Sequence, residues 1–555
     1  MMDVSLIVPL LPLAIPLGGA GASWILPSGP FLGRLRRWTY VLTLLVTCAM
    51  LLAAPAIDFC QADLLFSLPG VELDGALQLR LGDLGIGFGS LLTGVLALAG
   101  ISMLAYPMER SEAVPPLIMV LGGIWTVSAA NLLTLCLGWT LTDAALLSAD
   151  VIHAPEEHIP HAVRRALPNL LSSLALVMAT VLIGSEHGHT QFSDLVLTGI
   201  PLKLLTLAAL LRLGLYPLPG SLRRRPVTYV ASICTGGYLW LRIAGLISGG
   251  ATGYHWLVAL CGAGLLAGGL LAALSDSWAS AWPYVLLGEV ASLVLAPLLD
   301  PVAGGAVAWI LAINAALCIG LIGVDDQAPS TAATRRRSPL PRAVGLMSLA
   351  GWPLTLGFTA HWSYLSLCQS AGLSGVVVLA SLTYLLASLP VWQWLGHVGR
   401  EAKRHGSDPT WSRHVPLVGQ SLVALFLVFL GIELALSARP WPGLPGELQL
   451  ASLRVLFRAD AKSLGELACA ATVVPLAGSY ILHRLKVGIA GDRSAGTFRV
   501  ASALLELDWL YVVVERTVAR LQRLVEVASA AVEGPFYLGW TLLWTLVIVL
   551  YLGGA

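Results

Sequence analysis

Apolar residues fill this chain in long blocks, separated by short polar stretches rich in arginine and proline. A bilayer core takes about 20 apolar residues per helix. On that measure spans are predicted near 4–26, 37–57, 84–106, 113–131, 132–150, 166–184, 195–217, 226–247, 254–274, 282–299, 303–323, 343–367, 373–396, 416–436, 464–484 and 534–553. No water reaches such a span, so each backbone group must bond within its own segment, and helices are the form that allows it. The predicted fold class is therefore an all-α integral membrane protein with about 14–16 transmembrane helices. Helix breakers fall inside two spans. Pro217 and Pro219 predict a break in the helix at 195–217, and Gly351, Pro353 and Gly357 predict one in the helix at 343–367.

Three stretches depart from this pattern. Residues 58–82 alternate weakly, as in Val71-Glu72-Leu73, and predict a short β-hairpin outside the membrane. Residues 437–463 form a second outside loop. Over 499–527, Leu504, Leu507, Leu510, Val514, Val518, Leu521 and Leu524 recur at three- and four-residue steps, which predicts an amphipathic helix before the last span. Its expected place is on the inner membrane face or along neighbouring subunits, with a plain surface helix before the last span as the alternative. Three regions follow: N-terminal helices with the hairpin over 1–112, a core over 113–400, and C-terminal helices with the amphipathic segment over 401–555.

Composition agrees with the pattern. The chain is 57% hydrophobic and 11% charged, whereas soluble domains carry about 25% charged residues. Most lysines and arginines fall in alternate loops, among them Arg34, Arg36, Arg37, Arg110, Arg223–Arg225 and Arg335–Arg337. The positive-inside rule then places the N-terminus outside, in the inner (plasma) membrane of a cell. The first apolar run is long enough to span and is read as a retained helix. The eight cysteines form no C-x-x-C pair, and the His and Glu residues of 153–161 sit in a proline-interrupted loop, so no metal site is predicted. No phosphate-cradling glycine motif is present, so neither a nucleotide nor any other cofactor is predicted, and nothing points to nucleic acid.

Ionisable residues at membrane depth are the functional candidates, because each is expensive there. They are Asp143, Lys203, Arg212, Arg242, Asp276, Glu289, His361 and Glu433. An acid, an amine and an imidazole placed along water-holding cavities can relay protons. Arginine stays charged, so Arg212 would be a fixed charge tuning its neighbours. Plainer readings stand beside these: a helix cap for Asp276, an interfacial site for Glu433, and a span-end arginine for Arg242. Asp143, Lys203, Arg212, Glu289 and His361 are the primary relay candidates.

Several patches, in order, resemble the antiporter-like subunits shared by the membrane arm of complex I (NADH-quinone oxidoreductase), Mrp-type Na⁺/H⁺ antiporters and membrane-bound hydrogenases. Gly138-Trp139-Thr140 resembles the family's G-W-E. Arg212 to Leu218 resembles K-x-x-x-x-P-L, and Pro226-Val227-Thr228 with Tyr238-Leu239 and Arg242 resembles P-V-S and Y-L-x-x-R. Ala272-Ala273-Leu274-Ser275-Asp276 resembles A-L-x-x-D. Gly351 to His361 resembles G-x-P-x-x-x-G-F-x-x-K, with its glycines and proline at matching spacing. The departures fall on charges. Thr140 stands at the family's glutamate, with Asp143 one turn on. Arg212 and His361 stand at two of its lysines, Trp278 at a third, and Ser232 near its histidine.

The resemblance implies a proton-translocating membrane subunit, with other membrane subunits as partners in the bilayer and the redox chemistry carried elsewhere. Loss of the lysines leaves open a transport-inactive structural paralogue. The membrane subunit of an Mrp antiporter or of an inorganic-carbon uptake pump is the remaining alternative.

Overall fold

In the computed structural model the described residues are 10–27, 29–54, 64–66, 77–104, 107–152, 159–187, 190–192, 199–215, 226–245, 247, 255–275, 278–323, 340–404, 421–430, 462–484 and helical pieces within 513–526. The helices are α1 (Leu11–Ile25), α2 (Pro30–Ala53), α3 (Asp83–Ser102), α4 (Arg110–Val127), α5 (Leu132–Ile152), α6 (Ile159–His187), α7 (Gly199–Leu213) and α8 (Pro226–Ala244). They continue as α9 (His255–Leu274), α10 (Trp278–Leu299), α11 (Ala303–Gly323), α12 (Leu340–Leu349), α13 (Leu356–Ser370), α14 (Ser374–Arg404), α15 (Ser421–Leu430) and α16 (Lys462–Arg484). Eight of these are long and apolar enough to cross a membrane. The chain is a multi-pass, all-α membrane protein, and the helices lie where the apolar blocks placed them. The span at 534–553 lies outside the described residues.

The bundle turns large apolar side chains outward, as a hydrocarbon solvent permits. Leu42, Leu45 and Val46 on α2, and Leu171, Leu174 and Val181 on α6, are exposed. At the centre, α10 and α11 are apolar all round and almost wholly buried. Helices approach closely through small residues. A Cβ at Gly138 of α5 would lie 2.6 Å from the Thr126 amide nitrogen of α4, and one at Gly122 of α4 would lie 2.7 Å from that of Thr142.

The predicted hairpin is present. Strand β1 (Leu64–Phe66) pairs antiparallel with β2 (Leu77–Leu79), Leu65 opposite Gln78. Strand β2 then continues onto the α4–α5 turn: the Arg80 amide donates to Ser128 O at 2.6 Å and the Ala130 amide to Gln78 O at 2.9 Å. The turn pairs in its other direction with residues 190–192, through Phe192 N to Ala130 O at 3.2 Å. Asn131 caps α5 by accepting from the Thr134 amide at 2.8 Å. A small backbone plate thus seals one end of α4.

An arginine knot ties the other end. Arg36 of α2 is buried, and its guanidinium donates to Ser23 O at 3.0 Å, Leu26 O at 2.7 Å, Pro27 O at 3.2 Å and Met108 O at 2.7 Å. Arg110 reaches the same Leu26 carbonyl at 3.1 Å. Carbonyls left over at the end of α1 and before the start of α4 are satisfied by one planar fork. Hairpin and knot therefore sit at opposite ends of α4, as the alternation of basic loops requires. Residues described within 513–526 are helical and exposed, Val513, Leu521 and Leu524 included.

We expect Arg36→Met to lower the thermal midpoint of the detergent-solubilised protein by the equivalent of roughly 2 kcal/mol or more, since charge-assisted hydrogen bonds are lost and their carbonyls stay buried. Tryptophan fluorescence on heating reads this. Arg36→Lys, which has donors but no fork, should fall between the two.

Candidate functional site

Two of the helices end inside the bundle, and both end in the same way. After Leu349 of α12, Gly351 takes a left-handed φ of 72°. The Trp352 amide bonds to Met347 O at 2.9 Å and the Gly351 amide to Ser348 O at 3.0 Å. This pair of bonds is the glycine-terminated Schellman turn. The chain then runs irregularly through Pro353 and Leu354 and re-enters a helix at Leu356. The break predicted at 343–367 is therefore present, at residues 350–355.

Near the break predicted in 195–217, α7 also ends at a glycine. Helix α7 stops at Leu213, where Gly214 adopts φ 78°. The Leu215 amide bonds to Leu210 O at 3.2 Å and the Gly214 amide to Leu211 O at 3.3 Å. A glycine able to take the left-handed turn, ahead of the prolines, ends the helix. Pro217 and Pro219 lie outside the described residues.

At the first break stands a buried ion pair. Asp143 lies near the middle of α5, and Arg212 closes α7 one residue before its last. One guanidinium nitrogen of Arg212, Nη1, contacts Asp143 Oδ1 directly, and Ser173 of α6 donates to Asp143 Oδ2. Arg212 Nε donates to Thr235 Oγ1 of α8 at 3.2 Å, and its guanidinium carbon lies 4.6 Å from the centre of the Trp139 ring. A cation at a helix C-terminus also meets the negative end of the helix dipole. Asp143, Arg212 and Trp139 are all buried. Thr140, at the position of the family's glutamate, is exposed and donates to Leu137 O at 3.0 Å. Asp143 thus takes an inward-facing place that Thr140 does not have.

At the second break stands another pair. Glu289 lies mid-way along α10 and His361 on the second turn of α13; His361 Nε2 is 2.6 Å from Glu289 Oε1. Both are buried, at 3% and 1% exposure, so neither reaches bulk water in this state. The imidazole stacks on Tyr384 of α14, with centroids 3.9 Å apart and planes 8° from parallel. Its other face is held by the break. A Cβ on Gly351 would collide with His361 Nδ1, so that position must be glycine for contact as well as for φ. Among the described residues, Glu289 Oε2 and His361 Nδ1 have no hydrogen-bond partner.

The other candidates are not brought in. Lys203 is exposed on α7. Nine residues separate it from Arg212, which is half a turn round the helix and roughly 13 Å along it, so Lys203 faces away from the pair and towards the span's end. Arg242 sits in the last turn of α8, its Nε donating to Tyr238 Oη at 3.3 Å and its guanidinium 5.4 Å from the Phe192 ring. This is the span-end reading. Asp276 and Glu433 lie outside the described residues. Sequence reading missed Ser173, Asn314 and Ser348. Asn314 alone carried a signal, as a lone amide in the middle of an apolar span. No group of three or more His, Cys, Asp or Glu suited to a metal occurs among the described residues.

These features define a multi-pass membrane protein with two buried acid–base pairs, each at a glycine-terminated break. Chains of three solved assemblies share its fold. One comes from the membrane-bound sulfane sulfur reductase, an archaeal respiratory membrane complex, at 17% identity and TM-score 0.68, covering 98% of this chain and 99% of that one. A second comes from the Mrp complex of Dietzia sp. DQ12-45-1b, at 17% identity and TM-score 0.66; the match covers 98% of this chain and 62% of that longer one. A third comes from respiratory complex I of Thermus thermophilus, at 18% identity and TM-score 0.58, covering 77% of this chain and 98% of that one. No protein-family model matches the sequence, and no curated protein matches it. At these identities the likeness establishes the fold, and two of the three assemblies are of kinds that the sequence motifs resembled.

Asp143→Asn should destabilise the folded chain by roughly 3–5 kcal/mol, because it leaves the Arg212 cation buried and uncompensated. Asp143→Asn combined with Arg212→Gln should recover most of that loss. SDS titration of the purified protein measures both; equal losses in the single and double variants would mean that the pair is not coupled.

Proposed function

We propose that this chain is a proton-translocating, antiporter-like membrane subunit of a complex I-type NADH-quinone oxidoreductase or a related ion pump. It works in the inner (plasma) membrane with its N-terminus outside, beside other membrane subunits that carry any redox chemistry. The observation that supports this most is the Glu289–His361 pair: a carboxyl and an imidazole in direct contact, buried, and pressed against a helix break. Polar atoms of both that lack partners point to waters completing the path.

Asp143 and Arg212 have a different part. Arginine does not release its proton, so it holds Asp143 as a carboxylate. The pair is then a fixed dipole that sets the field in which Glu289 takes up and releases its proton. In this reading Lys203 is not a carrier.

The same ion pair favours a second reading. An acid tied directly to arginine and serine fits a structural paralogue that keeps the fold and no longer moves protons. Membership of an Mrp-like antiporter or an inorganic-carbon uptake pump is a variant of the first reading, and sodium or bicarbonate dependence would reveal it.

The test is proton flux into vesicles holding the full chain with the subunits that co-purify in mild detergent. Glu289→Gln and His361→Ala should each reduce flux by at least about tenfold, the scale expected when a proton-transfer group is removed. Lys203→Gln should leave it unchanged. Fluxes in Glu289→Gln and His361→Ala equal to wild type would sink the transport reading and leave the paralogue.

A further inference from the structure

A chain of hydrogen bonds runs from the second helix break to the buried glutamate. The Gly357 amide, at the start of α13, donates to Ser348 Oγ of α12 at 3.1 Å. Ser348 Oγ donates to Asn314 Oδ1 of α11 at 2.6 Å. Asn314 Nδ2 is directed at Glu289 Oε1 of α10 at 3.4 Å. Ser348 and Asn314 are fully buried. Four helical segments meet through three bonds, and none of the three donors titrates.

The chain has a consistent direction. A backbone N–H can only donate, so Ser348 accepts there and gives its own O–H to Asn314 Oδ1. With its carbonyl oxygen turned to Ser348, Asn314 presents its amide N–H₂ to the acceptor oxygen of Glu289. The amide orientation, ordinarily ambiguous, follows from the network. Gly357 keeps the segments close: a Cβ there would strike the Ser348 carbonyl and lie 3.2 Å from Asn314 Nδ2.

We propose that Asn314 and Ser348 are positioning residues that hold Glu289 Oε1 as a fixed acceptor, so that Oε2 is the oxygen that takes up and releases the proton. Oε1 already faces two nitrogens, Asn314 Nδ2 and His361 Nε2, whereas Oε2 has no partner among the described residues. A proton on Oε1 would point at the Asn314 N–H₂ and crowd the contact with His361 Nε2; on Oε2 it meets neither. The geometry of the break thereby reaches Glu289 through Gly357 without any contact between the two. A buried asparagine in an apolar helix is otherwise an expensive choice, because an unsatisfied amide there is strongly disfavoured.

This inference rests on reading Glu289 as a proton carrier, and its test separates the two. In the full chain within its detergent-purified assembly, infrared difference spectra between low and high pH report the C=O stretch of the protonated carboxyl, assigned by its loss in Glu289→Gln. With Oε2 protonated, Oε1 is the carbonyl oxygen. Asn314→Leu and the milder Ser348→Ala should move this band to higher wavenumber, since Oε1 loses a donor, while Ser348→Thr should keep it at the wild-type position. Flux is measured on the same samples. An unmoved band in folded Ser348→Ala and Asn314→Leu overturns the positioning role, whatever the flux does. A shifted band together with wild-type flux in Glu289→Gln keeps that role and removes the transport reading instead.

Discussion

A charged side chain cannot be left alone at the centre of a bilayer, and this protein is arranged around that fact. Arg212 is the extreme case. It cannot shed its charge, so burying it commits the fold to a carboxylate beside it, a hydroxyl on its Nε and an aromatic ring below it. Those partners come from α5 and α8, and Ser173 of α6 completes the carboxylate. Four helices are thus bound to one register by a single cation. Pairs of this kind are poor sources of net stability, but breaking one is costly, so they act as locks on the arrangement.

The second pair obeys the same constraint with a softer chemistry. Glu289 and His361 can neutralise each other by moving one proton, which no pair containing arginine can do. The two pairs lie at similar sequence separations, 69 and 72 residues. Each puts an acid mid-way along an unbroken helix and a base beside a broken one. In both breaks a glycine in the left-handed conformation, and not the neighbouring proline, closes the helix. Closing a helix this way satisfies its last carbonyls internally, which is what permits irregular backbone within the bundle.

Much of this was legible in the sequence. Apolar block length placed the described helices, because hydrocarbon thickness leaves little freedom, although α2, α6 and α14 run well past the predicted ends, to Pro30, Ile159 and Arg404. The break at 350–355 was legible because Gly351, Pro353 and Gly357 fall together within one span. The end of α7 at Leu213 follows from Gly214, which takes the left-handed turn. Lys203 lies half a turn out of phase with Arg212, as nine residues of helical geometry require. Which charge meets which could not be read, since the contacts join residues far apart in the chain. Asn314 and Ser348 were passed over because uncharged polar residues are common in membrane helices, and only the positions of their neighbours reveal a directed chain.

The arginine knot bears on how the protein is made. Arg36 bonds the carbonyl of Met108, which lies 72 residues further along the chain. During synthesis α1 and α2 exist well before that carbonyl does. Until then the guanidinium lacks one of its partners, and it must stay at the aqueous boundary, where water can serve in its place. With that carbonyl in place, one guanidinium joins the ends of α1 and α2 to the start of α4, a closure between segments far apart in the chain.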